Sequence, residues 1–322
     1  MKAIVQHEYG APQDVLRLAE VKMPVAGAED VLVSARASSA TPWDWHFIRG
    51  EPLLLRPGLG GVRKPKFPVP GGDLAGTVER AGGAVTAFRP GDEVYGFGHG
   101  AFAEYVAVRR GSLAPKPGNL SFEQAAAVPL AAVTALQGLR AGGIAPGQHV
   151  LIIGASGGVG TFAVQIARHL GAQVTGVCST RHADLVRRLG AEAVIDYTTQ
   201  DVTTGAARYD LALQLGGTYS PAAVRKVLTP RGTLIQSFGD GSRWFGPVGN
   251  ILKGRGPQPA GRPDPEVIHR QGHRPGPPGG RRPHRVRPYH PGDRPDLPAH
   301  RRGSRGGTGR GGQPGGQGHR RG

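Results

Sequence analysis

The sequence predicts an α/β protein in which a compact β barrel precedes an open parallel sheet. Up to about residue 120, short alternating or β-branched runs such as DVLVSARASS, DLAGTVERAG and AEYVAV are separated by Gly, Pro and Asp, the pattern of a barrel with tight turns. From Ser121 strand-like runs alternate with helix-like runs, which specifies a parallel sheet covered by helices. After Lys253 this periodicity disappears.

These changes of pattern predict three segments, which are residues 1–120, 121–253 and 254–322. A length of 322 residues agrees with two domains that each bury a core. The second segment opens with SFEQAAAVPLAAVTALQGLRAGG, in which Ser121 is a good N-cap, so we expect a helix there despite Pro129. The runs that follow, in order, are HVLIIGA, TFAVQIARHLG, QVTGVCS, ADLVRRLGA, EAVIDY, YDLALQLGG, PAAVRKVLTPRG and TLIQSF.

The third segment differs in composition and charge. Its 69 residues include 18 Gly, 13 Pro and 15 Arg against 4 acidic side chains, so it carries 11 of the 17 net positive charges. So few large apolar residues cannot offset the entropy of ordering the segment, and we expect a disordered tail. The remaining residues are only mildly basic, which weakens a nucleic-acid interpretation of the whole chain.

The sequence shows no signal for secretion or membrane insertion, and it contains one cysteine. The start lacks an apolar signal-peptide core and no later run is long enough to span a membrane, so we expect a cytoplasmic protein. The single cysteine, Cys178, forms no intramolecular disulfide and predicts a small buried residue near a strand end.

The strongest motif is the glycine-rich turn GASGGVG between the apolar strand HVLII and a predicted helix that begins just after Gly160. Small residues let the backbone approach a pyrophosphate, and the helix directs free N–H groups toward it. We therefore predict a dinucleotide site at Gly154, Ala155, Ser156, Gly157, Gly158, Val159 and Gly160.

The cofactor's identity is predicted from the end of the next strand. There the chain continues into Ser179, Thr180 and Arg181, with no carboxylate in the run. Hydroxyls and a guanidinium suit a 2′-phosphate, which favours NADPH over NADH.

With these motifs in order, the first 253 residues resemble the medium-chain dehydrogenase/reductase superfamily, in particular its zinc-independent, zeta-crystallin-like quinone oxidoreductase branch. The further motifs are SSATPWDW, PVPGGDLAGTV, RPGDEVYGF, FEQAAAVPLAAVTALQGL, LGAEAVIDY and PRGTL. The resemblance implies a GroES-like substrate domain, a Rossmann domain and a homodimer. It also implies hydride transfer to a small quinone or α,β-unsaturated carbonyl.

The resemblance also assigns candidate roles. Where zinc-dependent members of the superfamily hold a catalytic metal, this sequence has Ser38, Ser39, Ala40 and Thr41 and the glycine turn Gly71, Gly72 and Asp73. No complete ligand set remains, so no metal is expected. Thr134 is expected near the nicotinamide and Tyr197 near the adenosine. Candidate catalytic residues are Thr41, which would donate a hydrogen bond to a carbonyl, with Asp44, and His46, an alternative to solvent as proton donor.

The family's usual C-terminal sequence is missing, and we interpret the tail as the product of a reading-frame shift. Pro291 to Arg302 can be back-translated so that a one-base offset encodes PVIDRTYPLT, which is typical of the family. On this interpretation the substrate domain and the dimer interface are incomplete, and the activity of the chain is impaired.

Two other functions stay open. One is a zinc-free alcohol or enoyl-thioester reductase on the same scaffold. The other is a cofactor-binding body with an Arg/Gly-rich tail that binds nucleic acid, which is disfavoured because Tyr289 is the tail's only aromatic residue.

Overall fold

The computed structural model describes residues 1–51, 53, 56 and 61–237, which all lie within one compact unit spanning Met1–Arg270. The tail from 254 to 322 lies outside these residues. The predicted disorder of the tail and the predicted frame shift therefore concern residues outside the described part of the chain. Among the described helices, none is long and apolar enough to cross a membrane.

The first part of the chain forms an antiparallel sheet of five strands. The strands of this part are β1 (Lys2–Val5), β2 (Arg17–Glu20), β3 (Asp30–Ser39), β4 (Asp73–Ala81), β5 (Glu93–Phe97), β6 (Tyr105–Arg109) and β7 (Leu113–Pro115), and its helices are α1 (Pro12–Val15) and α2 (Pro42–Arg49). The order in the five-stranded sheet is β6-β3-β4-β5-β7, while β1 and β2 form a separate ribbon, and Ala3 of β1 makes an isolated bridge with Ala103. Alternation of apolar residues places Val31, Val33 and Leu74 in a buried core.

The second part forms a parallel sheet of five strands, which are β8 (His149–Ile153), β9 (Gln173–Cys178), β10 (Ala193–Asp196), β11 (Tyr209–Gln214) and β12 (Leu228–Gln236). Their order in the sheet is β10-β9-β8-β11-β12. Strand β8 is central and fully apolar from Val150 to Ile153, as expected of a strand that is covered on both faces. The helices are α3 (Phe122–Ala126), α4 (Pro129–Ala141), α5 (Gly158–His169), α6 (Ala183–Arg188) and α7 (Pro221–Arg225).

The predicted continuous helix after Ser121 is wrong in one respect, because the structure divides it into α3 and α4. Ser121 caps α3 as predicted, accepting a hydrogen bond from the Gln124 amide. Pro129 has no N–H to continue that helix, but its fixed φ suits the first position of a new one.

Two further predictions concern the nucleotide-binding motif and the cysteine. Helix α5 begins at Gly158 rather than after Gly160, so the last three residues of GASGGVG form its first turn. Cys178 is the last residue of β9 and is 1% exposed, which confirms the predicted burial.

Candidate functional site: a dinucleotide cradle beside an aromatic wall

The glycine-rich turn is tied directly to strand β9. Gly154 has φ +87°, a conformation that favours glycine. The amides of Gly154 and Ala155 both donate to the Val177 carbonyl, at 3.1 and 3.0 Å. These bonds hold the start of the turn against β9, so the turn and the end of β9 form one continuous edge of the sheet.

The second half of the turn is shaped by two glycines with different surroundings. A Cβ on Gly160 would lie 2.1 Å from the Gly154 carbonyl oxygen, so glycine is required for α5 to pack on the turn. A Cβ on Gly158 would meet no atom within 4 Å. The open space at Gly158 lies at the first turn of a helix, where N–H groups lack intrahelical acceptors and favour an anion.

Helix α4 links this cradle to the first sheet. Ala135 is fully buried in one core cluster with Ala155 of the turn, and α4 also contacts β4 and β5. The predicted nicotinamide residue, Thr134, is partly buried on this helix beside Ala135. The structure therefore places Thr134 on the element that joins the two sheets.

A buried carboxylate fixes the start of α4. Asp73, the first residue of β4, is 1% exposed, and its two oxygens lie 3.1 and 3.3 Å from the Leu130 amide. Ser39 also donates to Asp73 through its hydroxyl, at 3.3 Å. Sequence reasoning noted Asp73 only as part of a turn without zinc ligands. The available signal was an acidic residue that opens an otherwise apolar run.

At the adenosine side the structure adds a carboxylate that local sequence reasoning missed. Asp196 ends β10 in register with Cys178, which ends β9. The Thr180 hydroxyl donates a hydrogen bond to Asp196. The Ser179–Arg181 run contains no carboxylate, as the sequence shows, but the neighbouring parallel strand brings one to it from 16 residues away.

The other predicted residues of this edge lie close by. Tyr197 follows Asp196, is 55% exposed, and donates its amide to the Cys178 carbonyl at 3.1 Å. The hydroxyl of Ser179 lies 3.3 Å from Nδ1 of His182, and Arg181 is exposed. Tyr197, Ser179, Thr180 and Arg181 therefore share one edge with the glycine turn.

Thr41 and Asp44, predicted as catalytic residues, form the capping box of α2. The amide and the hydroxyl of Thr41 both donate to Asp44 Oδ2, each at 2.7 Å. In this arrangement the Thr41 hydroxyl directs its hydrogen at Asp44. It therefore does not offer that hydrogen to a substrate carbonyl, contrary to the prediction from the sequence. Burial raises the pKa of the Asp44 carboxyl above its ordinary value, opposed first by the Thr41 hydroxyl.

The other face of α2 contributes to a group of aromatic rings that we call the aromatic wall, which consists of Trp43, Phe67, Phe97 and His99. Trp43 stacks on the buried Phe47 at 5.3 Å between ring centroids and meets Phe97 edge-on at 5.4 Å. His99 stacks parallel to Phe67 at 4.9 Å. Sequence reasoning missed this wall, because its members come from three separate segments.

His46 and Trp45 lie on the same helix. Their rings meet edge-on at 5.0 Å, while Arg49 lies over the Trp45 ring at 4.7 Å. Trp45 is 45% exposed. The structure therefore places Trp45 and His46 beside one another on α2, and the Trp45 amide donates to the Thr41 carbonyl at 3.2 Å.

The positions that would correspond to zinc ligands hold no complete ligand set, since Asp73 is the one potential ligand among them and its carboxylate accepts from the Leu130 amide. The Ser38 hydroxyl donates to the Asp73 carbonyl at 2.6 Å, and a Cβ on Gly72 would lie 2.4 Å from the Phe97 ring. Within the described ranges, no group of three or more His, Cys, Asp or Glu side chains could hold an ion. The residues at these positions do not fit a zinc ion, since neither a thiolate nor an imidazole is present.

Comparison with known proteins identifies the family. Residues 27–118 match the model described as an alcohol dehydrogenase GroES-like domain, and residues 158–237 match the one described as a zinc-binding dehydrogenase. A chloroplastic quinone oxidoreductase, QR1 from Triphysaria versicolor, is 34% identical over 253 residues, covering 73% of this chain and 74% of that protein.

Other relatives cover less of their own length. A chloroplastic quinone-oxidoreductase homologue from Spinacia oleracea is 38% identical, and the match spans 62% of both chains. An NADPH-dependent alkenal/one oxidoreductase from Arabidopsis thaliana is 34% identical, and the match spans 74% of this chain and 63% of that protein. The chain thus spans a little over three fifths of these two relatives.

Solved structures agree with this assignment. The quinone oxidoreductase of Coxiella burnetii aligns with a TM-score of 0.66 at 30% identity, covering 73% of this chain and 75% of its own. The CurK enoyl reductase aligns with a TM-score of 0.66 at 28% identity, covering 73% of each chain. The chain belongs to the medium-chain dehydrogenase/reductase superfamily, within its quinone-oxidoreductase branch.

Proposed function

We propose that the protein is an NADPH-dependent reductase that transfers hydride to a quinone or an α,β-unsaturated carbonyl without zinc. The observation that carries the proposal is the open glycine cradle at Gly158, on the same sheet edge as Arg181. A helix N-terminus there suits a pyrophosphate, and an exposed guanidinium suits a 2′-phosphate. The names of the relatives from Triphysaria versicolor and Arabidopsis thaliana, a quinone oxidoreductase and an NADPH-dependent alkenal/one oxidoreductase, support this reaction class.

In this proposal, the chain's own residues mainly bind and orient. The glycine turn would hold the pyrophosphate, Thr134 would contact the nicotinamide end, and Tyr197 would contact the adenosine. When bound, NADPH supplies the hydride. The anchored helix α4 fixes Thr134 relative to the first sheet, so positioning provides much of the rate enhancement.

The proposed acceptor site lies along the aromatic wall. Planar quinones and enones stack on aromatic rings, and the wall includes two exposed rings, Phe67 and His99, that stack on each other. These acceptors receive hydride into a conjugated system, so they need less polarisation than a simple carbonyl. This agrees with a Thr41 hydroxyl that is engaged by Asp44. Solvent or His46 would supply the proton.

Zinc independence is part of the same proposal. It is supported by the donor set, because Ser38 and Gly72 stand at ligand positions and Phe97 fills the space beside Gly72. The carboxylate of Asp73, in the same turn, is engaged by the Leu130 amide. A zinc-free alcohol or enoyl-thioester reductase is the second candidate, and the likeness to the CurK enoyl reductase favours the thioester form.

The test is a titration of the full chain with NADPH, followed by turnover with a panel of quinones, enones and enoyl thioesters. We expect saturable binding, oxidation of NADPH with quinones or enones, and rates unchanged by chelator. Turnover of thioesters alone would favour the second candidate. Absence of nucleotide binding by a folded chain would overturn the proposed function, and loss of rate with chelator would overturn zinc independence.

A further inference from the structure

The carboxylate of Asp196 accepts hydrogen bonds from the hydroxyls of Thr180 and Thr198, on the sheet edge proposed to hold the adenosine ribose. Thr180 donates its hydroxyl to Oδ2 of Asp196. On the other oxygen, Oδ1 accepts the Thr198 amide at 2.9 Å and the Thr198 hydroxyl at 2.7 Å. The two threonine oxygens lie 3.1 Å apart. Each hydroxyl has one hydrogen, and a charged carboxylate is a stronger acceptor than a hydroxyl, so both hydrogens are directed at Asp196 rather than at the other threonine.

This arrangement decides what the threonines can offer a ligand. With their hydrogens directed at Asp196, Thr180 and Thr198 present only lone pairs outward, so they accept hydrogen bonds and do not donate them. A ribose 2′-hydroxyl can donate to such an oxygen. A 2′-phosphate has only acceptor oxygens and gains nothing from it.

The charge of Asp196 acts in the same direction. Hydrogen bonds from Thr180, and then from Thr198, hold the pKa of Asp196 below its ordinary value, so the group is anionic at neutral pH. An anion beside the ribose repels a phosphate. Arg181 opposes this effect, since it is exposed and makes no ion pair among the residues that the structure describes.

We infer that Asp196 is a specificity-determining residue of the cofactor site: by engaging the hydroxyl hydrogens of Thr180 and Thr198 and adding a negative charge, it narrows the preference for NADPH over NADH. The inference rests on the proposed function, because it needs the cofactor to lie on this edge. It predicts that the chain binds both nucleotides, with Arg181 favouring NADPH and Asp196 favouring NADH.

The first variant is Asp196→Asn in the full chain. An asparagine amide removes the charge and can donate to a threonine oxygen, which releases a hydroxyl hydrogen toward the ligand. We expect the Kd for NADH divided by the Kd for NADPH to rise by about tenfold, which means a stronger preference for NADPH. Dissociation constants are measured by fluorescence titration, so the result does not depend on turnover.

The matched control is Asp201→Asn. Asp201 accepts the amide and the hydroxyl of Thr203, each at 2.8 Å, in the same pattern that Asp196 shows with Thr198. Asp201 caps the short helical turn Val202–Thr204, whereas Asp196 lies beside the end of β9. We expect its nucleotide ratio to stay within about twofold of wild type. An equal rise in both variants would overturn the inference, since net charge alone would then explain the effect.

A second variant, Thr180→Val, tests the direction of the hydrogen bond and serves also if Asp196→Asn fails to fold. Valine keeps the shape and removes the oxygen. We expect NADH binding to weaken more than NADPH binding, because only a 2′-hydroxyl uses the Thr180 lone pair. A larger loss for NADPH would overturn the inference. Failure of the folded wild type to bind either nucleotide would instead overturn the proposed function together with this inference.

Discussion

The Asp73 carboxylate and the Leu130 amide join the first sheet to the start of α4, at 3.1 Å, across 57 residues of sequence. Pro129 has no N–H, so the Leu130 amide is the first donor of that helix. A carboxylate at a helix N-terminus is favourable both as an acceptor and through the helix dipole. The same helix carries Thr134, so this bond positions the proposed nicotinamide site.

Replacing Asp73 should therefore destabilise the protein. Asp73→Ala leaves the partly buried Leu130 amide without its acceptor, and we expect a loss of about 1–3 kcal/mol in the free energy of unfolding. Asp73→Asn keeps one acceptor oxygen and should lose less. Chemical denaturation measures both, with the exposed Asp14→Ala as control. Equal stability of Asp73→Ala and wild type would show that the bond does not anchor α4.

The glycine turn allows a paired prediction for stability and binding. Gly160→Ala places a methyl group 2.1 Å from a backbone oxygen, so the turn or α5 must move, and we expect a loss of about 1–3 kcal/mol. Gly158→Ala meets no protein atom, and we expect stability within about 0.5 kcal/mol of wild type. Its methyl should nevertheless weaken NADPH binding, because it occupies the space that a pyrophosphate approaches. Thermal unfolding and nucleotide titration separate the two effects, and a fully stable Gly160→Ala would contradict the packing argument.

The raised pKa of Asp44 predicts a specific dependence of stability on pH. Folding raises this pKa above about 3.8, so the folded state binds more protons than the unfolded state between the two values. The contribution of Asp44 to the free energy of unfolding is therefore fully present below the ordinary pKa and is lost as pH rises through the folded pKa. The free energy of unfolding of wild type minus that of Asp44→Asn should therefore fall as pH rises across that range.

Asp201 provides the opposite case. Hydrogen bonds from the Thr203 amide and hydroxyl lower its pKa, so its contribution is present above the ordinary value and is lost as pH falls through the folded pKa. The difference between wild type and Asp201→Asn should rise with pH in that lower range. Denaturation curves at several pH values measure both differences. The same slope for the two variants would contradict the assigned causes.

The aromatic wall predicts a selective effect on the acceptor. Trp43→Ala removes one ring from the wall, and we expect the KM for a planar quinone to rise by about threefold to tenfold, as expected for losing an aromatic pair worth about 0.5–1.5 kcal/mol. Trp43→Phe should restore most of the affinity, because it can still stack on Phe47. The dissociation constant for NADPH should not change. If the affinity for NADPH changed and the KM for the quinone did not, the aromatic wall would not form the acceptor site.

Local sequence was sufficient for features that depend on neighbours along the chain. The apolar run of β8, the glycines of the turn and the alternation of strand and helix together predicted a parallel sheet with a dinucleotide cradle. The parallel sheet and the cradle's position between β8 and α5 agree with the structure. These features follow from backbone conformation and from the periodicity of buried residues, which are properties of short segments. The burial of Cys178 followed from composition in the same way.

The tertiary structure decided the interactions between segments that are distant in sequence. Sequence reasoning placed no carboxylate beside Thr180, because Asp196 reaches it only through the parallel pairing of β9 and β10. It assigned the Thr41 hydroxyl to a substrate, because the direction of a hydroxyl hydrogen depends on which acceptor folding brings near, and here that acceptor is Asp44. Side-chain chemistry can be read from residue types, but the partner that each group meets is set by strand order, register and packing.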